Sequence, residues 1–358
     1  MKSIYPFDSR NSYRGYIYSV DEILAMDEAP WIALSENSLY ANPFFEPWHL
    51  KPALQSFAKK GQVYVIIIKK QDDLVGLFPV EIKRRWGLFP YLSIWQHDHC
   101  CSPNPLLKQN IPLTDLFANA ARQLGCLWSL VKDHNPKLNM HGRSSFVTQA
   151  KTSRAAIFDS SQLQDHLKSL KGKFHRENRR LLRNAKRDLD VRFFEYTQVR
   201  QGLLDFIALE KLGWKGKDGG AIACQQSTLG FYQALIEDRR AHNFLQVFAL
   251  KSGNINLACA VRIQTGSHLY EIKTTFHEGY RRYAPGRVLE CYLLEKLSER
   301  RGLFVDSCTH HNNQLINTLW PNQLAMTNTH IFSQSWLGLL SKSAHFVLLR
   351  LKRTIRQA

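Results

Sequence analysis

Three arginines and two tyrosines surround a Pro-Gly step in the segment HEGYRRYAPGRVLE, residues 277–290. Proline is favoured at the first position of a helix, so Pro285 predicts a helix start. The first amides of a helix have no internal acceptor, and the helix dipole adds positive charge there. Because Gly286 has no side chain, an anion could approach these amides closely, and the arginines could add charge-assisted hydrogen bonds. The three arginines are Arg281, Arg282 and Arg287. These residues predict either a phosphate or pyrophosphate site or a surface helix with solvated arginines.

The elements around this segment favour an α+β pattern. Strand-like sequences precede it (HLYEIKTTF) and follow it (LFVDS). Two more strand-like segments, FLQVFAL and INLACAVRIQ, come before, and Gly-containing turns join the three. Three antiparallel strands followed by a loop, a helix and another strand form a layered α+β arrangement. A long basic helix is predicted from about 163 to 189, and the first half of the chain is typical of mixed α/β structure.

The order strand, strand, Y-x-x-Y-[SA]-P-G, helix, strand ending in Asp resembles the GNAT-type domain of CelD-like acyltransferases, which are relatives of the FemABX aminoacyl transferases. The residues that carry the resemblance are Tyr280, Tyr283, Ala284, Pro285, Gly286 and Asp306. A second matching piece, LEKLGWKGKDGGAIA, contributes Glu210, Trp214, Lys215, Gly216 and Gly220. The resemblance covers roughly residues 160 to 330, and WIALSENSLYANPFFEPWHL in the first half is also typical. The chain departs from the family at His277, where an acid is usual, and at Asn317, where a lysine often precedes the Trp.

The resemblance implies an α+β (α/β layered), GNAT-like acyltransferase fold with two GNAT-like lobes, because FemABX-like chains pair two such halves. We expect residues 1–155 to form a degenerate N-terminal lobe and residues 156–335 to form the acyltransferase domain. Residues 336–358 are predicted to form a basic amphipathic helix, for which a membrane surface and packing against the protein are both open.

The resemblance also implies acyl-CoA (acetyl-CoA) as co-substrate, with its pyrophosphate at the helix start. The expected cofactor-binding residues are Arg281, Arg282, Tyr283, Ala284, Pro285, Gly286 and Arg287. A carboxylate or a histidine must accept the nucleophile's proton, and the candidates are Glu271 and Asp306. Each has a structural alternative: Glu271 could pair with a neighbouring cation, and Asp306 could cap the turn that follows it.

The acceptor is expected to contact six further residues. They are Glu210, Trp214, Lys215, Lys273, Tyr280 and His310. His310 is also a third candidate proton acceptor, and Trp214 could instead anchor its Gly-rich loop to the core.

The segment HDHCC, residues 97–101, has metal-ligand residue types, but adjacent ligands rarely surround one tetrahedral ion and no second motif completes a site. We therefore predict no metal.

A formal net charge of +18 and a pI of about 9.7 favour anionic partners. Nine basic residues and one acid lie between Lys168 and Arg187. On a helix they cannot all share one face, so the segment predicts either a solvated helix or contact with an anionic lipid surface, a phosphorylated acceptor or tRNA.

These observations favour an acyl-CoA-dependent N- or O-acyltransferase acting on a small-molecule, sugar or lipid-precursor acceptor. Two alternatives stay open. One is an aminoacyl-tRNA-dependent FemABX-like transferase, and the other is a non-catalytic basic protein that binds nucleic acid or an anionic membrane. Seven cysteines without framework spacing, no signal-peptide pattern and no spanning segment predict a cytoplasmic protein. Peripheral binding at the inner membrane surface is a further hypothesis.

Overall fold

The computed structural model describes residues 2–8, 13–140, 145–170, 172–309, 313–333, 336 and 338–343. Its strands are β1 Lys2–Asp8, β2 Tyr13–Ser19, β3 Val63–Lys70, β4 Asp73–Arg85, β5 Phe89–Ile94, β6 Leu106–Leu107, β7 Trp128–His134, β8 Ser145–Ile157, β9 Val191–Glu195, β10 Leu245–Ser252, β11 Ile255–Thr265, β12 His268–Phe276, β13 Phe304–Asp306 and β14 Asn322–Ser333. Its α-helices are α1 Val20–Leu24, α2 Ala29–Glu36, α3 Pro47–Phe57, α4 Thr114–Gln123, α5 Leu163–Ser169, α6 Gly172–Leu189, α7 Val199–Leu212, α8 Trp214–Lys217, α9 Gln226–Glu237, α10 Pro285–Ser298 and α11 Gln314–Leu319.

The chain divides into two compact units, each built from separated segments. Unit 1 comprises Met1–Pro47, Ala58–Thr152 and Ala325–Ala358. Unit 2 comprises Trp48–Phe57 and Ser153–Leu324. Most of the predicted C-terminal helix lies outside the described residues; residues 338–343 are helical. None of the described helices is both long and apolar enough to cross a lipid bilayer.

Unit 1 is a sheet in which β1 to β5 pair antiparallel with their neighbours. The β-branched run VYVIII makes β3 a central, largely buried strand. After β5 the chain forms α4 and returns as β7, which is parallel to β5. The sheet is completed by β14, whose residues 327–331 pair antiparallel with β7.

Unit 2 repeats this plan. Strands β9, β10, β11 and β12 lie side by side in chain order, and each pairs antiparallel with the next. The chain then passes through α10 and returns as β13, parallel to β12. Residues 156–157 of β8 pair with β13 and extend the sheet. Both units therefore contain a strand–helix–strand crossover between parallel neighbours, and the predicted α+β class is confirmed.

Helix α6 packs on α10 through one apolar face. Leu181 and Ala185 of α6 share a buried cluster with Leu289 and Leu293 of α10. The predicted basic helix from 163 to 189 is therefore two helices, because Leu170 is extended (ψ 144°) and ends α5.

Helix α3 completes the core of unit 2 from a distant part of the chain. The Trp48 ring stacks on Phe244 at 4.9 Å, and the His49 ring meets Phe231 edge-on at 5.1 Å. Aromatic contacts of this kind add to the burial of apolar area. This first-half segment is thus part of the unit that contains β12 and α10.

Two helical glycines give a matched stability test. A Cβ at Gly202 in α7 would lie 2.8 Å from Val247 Cβ and 2.9 Å from Tyr196 Cγ. A Cβ at Gly230 in α9 would meet only Ser56 Oγ, at 4.0 Å. We expect Gly202→Ala to lower the free energy of unfolding by about 1–3 kcal/mol through overpacking. Gly230→Ala should raise it by about 0.5–1 kcal/mol, since alanine is the better helix former. Urea denaturation measures both, and effects of the same sign would contradict this packing.

Candidate functional site

A cleft opens where β12 and β13 stop pairing. The two strands are paired over three positions, the last being Tyr270 with Asp306. There β13 ends, whereas β12 continues to Phe276. The gap holds a cavity of about 410 Å³, lined by β12, the first turns of α10, the segment after β13, and α11.

A β-bulge lies on β12 at the beginning of this gap. Arg262 of β11 is opposite Glu271, but the next residue of β11, Val261, is opposite Lys273. Ile272 is therefore the extra residue on β12. Bulges redirect side chains and occur often beside active sites. Here the residues on both sides of the bulge, Glu271 and Lys273, line the cleft.

The N-terminus of α10 meets the cleft without a side-chain cap. The residue before the helix, Ala284, has a left-handed conformation (φ 47°) and cannot cap the helix. The amides of Gly286 and Arg287 donate to no acceptor among the described residues, and both residues line the cleft. Two free amides and the positive end of the helix dipole form a seat for an anion.

The other expected cofactor-binding residues lie outside the cleft lining, four of them before α10 and Pro285 at its first position. Arg281 and Arg282 are exposed. Tyr283 is buried; its hydroxyl accepts from Arg282 at 2.6 Å and donates to Asp188 at 3.2 Å. Of the three arginines, Arg287 is the one that reaches the cleft.

Arg287 is also bound to α6. Its Nε donates to Asn178 Oδ1 at 2.7 Å, and its guanidinium lies over the Phe174 ring at 4.8 Å. These contacts hold one edge of the guanidinium. They therefore fix the direction in which its other N–H groups point.

The two predicted proton acceptors are both paired with arginines. Glu271 lines the cleft and forms an ion pair with Arg262, which is almost completely buried. Asp306 is buried, forms an ion pair with Arg154 and accepts the Cys308 amide at 3.0 Å. Asp306 is not part of the cleft lining, so its observed contacts fix the end of β13.

A third carboxylate, Glu290, lines the cleft and was missed by the sequence analysis. It lies on the second turn of α10, is buried, and accepts a hydrogen bond from Trp320 Nε1 at 3.0 Å. Burial and the neighbouring Glu271 raise the pKa of Glu290 to about 7, although Arg262 and the Trp320 hydrogen bond oppose the shift. The available signal was a single acid within the apolar run RVLECYLL.

Glu210 joins two of the predicted acceptor-binding lysines. It is almost completely buried, and its Oε1 accepts from Lys273 at 3.0 Å and from Lys215 at 3.2 Å. Its Oε2 accepts the Ile222 amide at 2.9 Å. These hydrogen bonds link α7 to α8, to the segment after α8 and to β12. They therefore stabilise the position of β12, which lines the cleft.

The Trp214-Lys215-Gly216 motif makes a tight turn beside this cluster. Trp214 is more than half exposed, and its amide donates to Glu278 at 2.9 Å. A Cβ at Gly216 would lie 1.8 Å from the Lys211 carbonyl oxygen, so only glycine fits this turn. Close backbone approach therefore accounts for Gly216.

Tyr280 and the HDHCC segment lie outside the cleft lining. The ring of Tyr280 meets His277 edge-on at 5.0 Å. His310 is outside the described residues. In unit 1, the Cys100 thiol of the HDHCC segment donates to the Ser102 carbonyl at 3.4 Å. Within the described ranges, no group of three or more His, Cys, Asp or Glu residues could hold a metal ion.

Residues 172–312, which include β12, α10 and β13, match the family described as acetyltransferase (GNAT) domain. These residues form a GNAT-type domain. The expected family resemblance is thereby confirmed for the part of the chain that contains the cleft. No curated protein has a sequence that matches this chain.

Three solved structures share the fold over most of the chain. The C-terminal domain (DUF2156) of a putative lysylphosphatidylglycerol synthetase from Agrobacterium fabrum has 14% identity and a TM-score of 0.57, over 90% of this chain and 96% of that chain. A conserved protein of unknown function from Bacteroides thetaiotaomicron VPI-5482 has 10% identity and a TM-score of 0.54, over 86% and 97%. FemX has 11% identity and a TM-score of 0.53, over 85% and 96%. At such identities the likeness concerns fold alone, and the GNAT-like fold class is confirmed by the family match over residues 172–312.

The contribution of the Glu210 carboxylate charge to the free energy of unfolding can be measured as a function of pH. Burial opposes this charge, but the Ile222 amide and Lys273 outweigh burial and hold the Glu210 pKa below its ordinary value of 4.5. Because the folded-state pKa is the lower one, the stabilisation is complete above the unfolded-state pKa and is lost as pH falls through the folded-state pKa. Glu210→Gln should therefore cost about 3 kcal/mol at pH 7, and the difference from the parent should shrink below pH 4.5.

Urea denaturation from pH 7 to pH 3 measures this difference. Glu237→Gln is the control, because its ion pair with Arg200 is exposed and should contribute less than about 1 kcal/mol. A Glu210→Gln deficit that does not change with pH would show that the carboxylate charge is not the stabilising feature.

Proposed function

We propose that this chain is an acyl-CoA-dependent N- or O-acyltransferase whose donor lies in the cleft between β12 and β13. The observation that carries the proposal is the meeting of this cleft with the uncapped start of α10. The free amides of Gly286 and Arg287 would hold a phosphate of the donor. The family match over the same residues supports acyl transfer as the reaction class.

The chain offers groups for each part of such a reaction. Beyond Tyr270, no described strand pairs with the β13-facing edge of β12, so backbone amides on that edge can polarise a thioester carbonyl. Glu271 and Lys273 lie on that strand, and the end of β13 forms the opposite wall. The acceptor, a small molecule, sugar or lipid precursor, would enter from the open side of the cleft.

Binding of CoA and acetyl-CoA to Gly286→Glu tests the donor site. The added carboxylate would occupy the anion seat and repel the donor phosphates. We expect calorimetric binding by the parent and at least a tenfold weaker affinity in the variant, equivalent to about 1.4 kcal/mol.

Gly286→Ala is the matched control. Its Cβ would meet Phe276 Cδ1 at 3.6 Å, an ordinary contact, so it should bind CoA as the parent does. A folded parent that binds neither CoA nor acetyl-CoA would refute this donor. Equal binding by parent and Gly286→Glu would place the donor elsewhere.

A second candidate function, transfer from aminoacyl-tRNA, is favoured by the outer face of α6. At about 100° per residue, six exposed cations of α6 fall within an arc of about 120°. They are Arg176, Arg179, Arg180, Arg183, Lys186 and Arg187. Arg180 pairs with Glu177 and Arg187 with Asp188, whereas the other four form no salt bridge with described residues. Asn178, which holds Arg287, falls about 140° from the centre of this arc, so the cationic face points away from α10.

Replacing Arg176, Arg179 and Arg183 together by alanine tests that candidate. If tRNA phosphates bind this face, tRNA affinity should fall and the slope of log K against log salt should become shallower by about 2–3. Fluorescence anisotropy measures both quantities. Alanine at three other exposed cations, Arg200, Lys211 and Arg239, is the control. If both triple variants bind alike, or if the parent binds anionic vesicles but not tRNA, the tRNA candidate fails; vesicle binding would favour a membrane partner.

A further inference from the structure

The hairpin formed by β4 and β5 extends beyond the neighbouring strands of unit 1. On one side of it, β3 begins at Val63, which is opposite Glu81. On the other side, β7 begins at Trp128, which is opposite Tyr91. Among the described residues, the end of the hairpin therefore forms strand pairs only with itself. At about 3.3 Å per residue, this hairpin tip, residues 83–89, projects roughly 10 Å past its neighbours.

The hairpin tip exposes three large apolar side chains. Trp86 is 53% exposed, Leu88 is 72% exposed and Phe89 is 44% exposed. Leu88 has the largest exposed fraction of the large apolar side chains in the described part of the chain. The Trp86 and Phe89 rings meet edge-on at 6.1 Å, so the two rings form one apolar surface. Clustered apolar exposure of this kind marks a surface from which a partner displaces water.

Trp86 has a backbone conformation that its side chain does not favour. Its φ is 52° and that of Gly87 is 74°, and the Leu88 amide donates to the Arg85 carbonyl oxygen at 3.2 Å. Tight hairpin turns with two left-handed residues prefer Asn or Asp before Gly. A bulky residue is strained there, and packing offsets little of the strain because the ring is more than half exposed. Strain that persists at an exposed ring indicates a role for the ring outside the fold.

Basic side chains surround the base of the hairpin tip. They are Lys59, Lys60, Lys83, Arg84 and Arg85. The two lysines Lys59 and Lys60 precede β3 in a turn that is bonded to β4, since the Gln62 carbonyl accepts the Ile82 amide at 2.8 Å. Ion pairs with acids hold Lys60 and Lys83. Lys59 and Arg84 are exposed and form no salt bridge with any described residue. The surface is therefore apolar at its end and cationic at its base.

This arrangement matches the surface of an anionic lipid bilayer. Trp, Phe and Leu are typical of apolar faces that enter the boundary between headgroups and acyl chains, to a depth of about 5–10 Å. A tip of roughly 10 Å reaches that depth, and its basic residues would then lie at the level of the lipid phosphates. The net charge of +18 adds long-range attraction to the same surface.

A second copy of this chain is a poorer partner for the hairpin tip. A symmetric contact brings each patch against the identical patch of the other copy. The exposed Arg84 and Lys59 of the two copies would then face each other without an intervening acid, and like charges repel.

We propose that the hairpin tip inserts into the interfacial layer of an anionic bilayer, with Trp86, Leu88 and Phe89 below the lipid phosphates and Arg84 and Arg85 beside them. The contact is peripheral and reversible, because three side chains bury far less apolar area than a spanning helix. This inference concerns unit 1 and does not depend on the acyl-CoA donor proposed for unit 2.

Vesicle flotation tests the contact. The probes are phosphatidylcholine vesicles and vesicles in which about one third of the lipid is phosphatidylglycerol. We expect the parent to bind the anionic vesicles at least tenfold more tightly than the neutral ones. Leu88→Ser should weaken this binding about tenfold, because an apolar side chain no longer leaves water. Leu212→Ser is the matched control: it removes a leucine of unit 2 that is 66% exposed, and it should bind as the parent does.

Trp86→Asn separates a membrane role from a structural one. Asparagine is favoured at this left-handed position, so the free energy of unfolding in urea should be unchanged or higher. Affinity for anionic vesicles should nevertheless fall about tenfold. A variant that binds these vesicles as the parent does would overturn the insertion of this ring.

Fluorescence quenching by phosphatidylcholine with brominated acyl chains locates the ring directly. Mixed into anionic vesicles, this lipid should quench part of the tryptophan emission of the parent. Trp86→Phe keeps an apolar ring and should still bind, but that part of the quenching should be absent. Equal quenching in the parent and the variant would show that Trp86 does not enter the bilayer.

Charge variants distinguish the hairpin tip from the cationic face of α6. Arg84→Ala and Arg85→Ala should each weaken binding to anionic vesicles about fivefold and leave binding to neutral vesicles unchanged. The α6 variant with alanine at Arg176, Arg179 and Arg183 should retain most of the vesicle affinity. If the α6 variant loses vesicle binding while Leu88→Ser keeps it, α6 is the membrane surface and the proposal is wrong.

Two further outcomes would also reject the lipid partner. One is a parent that does not bind anionic vesicles, whether or not it binds CoA. The other is a parent that is dimeric without lipid in analytical ultracentrifugation while Leu88→Ser is monomeric, because a second copy would then cover the hairpin tip.

Discussion

The candidate site depends on the short parallel pairing of β12 with β13. The pairing ends at Asp306, where the ion pair with Arg154 and the bond to the Cys308 amide turn the chain away. Had β13 continued, it would have covered the edge of β12 and removed the cleft. A charge pair that is itself outside the cleft lining thus determines where a ligand can enter, because an unpaired strand edge is what the cleft exposes.

Both units contain the same strand–helix–strand crossover, yet they differ at the start of the helix. In unit 2 the helix begins at Pro285-Gly286 with uncapped amides and Arg287 at the cleft. In unit 1 the corresponding helix α4 begins at Thr114, which is buried, after the sequence IPL. That start has no glycine or arginine, so it lacks the features that make the unit 2 helix an anion seat. The shared crossover explains why the two halves share a fold, and the helix start explains why we place the donor in unit 2.

Local signals predicted much of this structure, and long-range contacts account for what they missed. The alternating run HLYEIKTTF gave the bounds of β12, and Pro285 gave the start of α10, because strand periodicity and helix capping are properties of adjacent residues. The break of the basic helix at Leu170 and the presence of α11 were missed. So were the partners of Glu271 and Asp306, since Arg262 and Arg154 lie on other strands. Glu290 was visible in the sequence as an acid in an apolar run, but only the fold places Trp320 and Glu271 beside it.

The strong positive charge of the chain does not extend into the cleft. Lys273 is paired with Glu210 and Arg262 with Glu271, and Glu290 forms no salt bridge with the residues that the structure describes. Attraction of an anion must therefore come from Arg287 and from the amides at the start of α10, which line the cleft. The acids Glu271 and Glu290 lie on β12 and on the second turn of α10. The cleft therefore presents positive charge at the start of α10 and carboxylates on β12 and α10, so that an anionic group and a cationic group of its ligands would each meet the opposite charge.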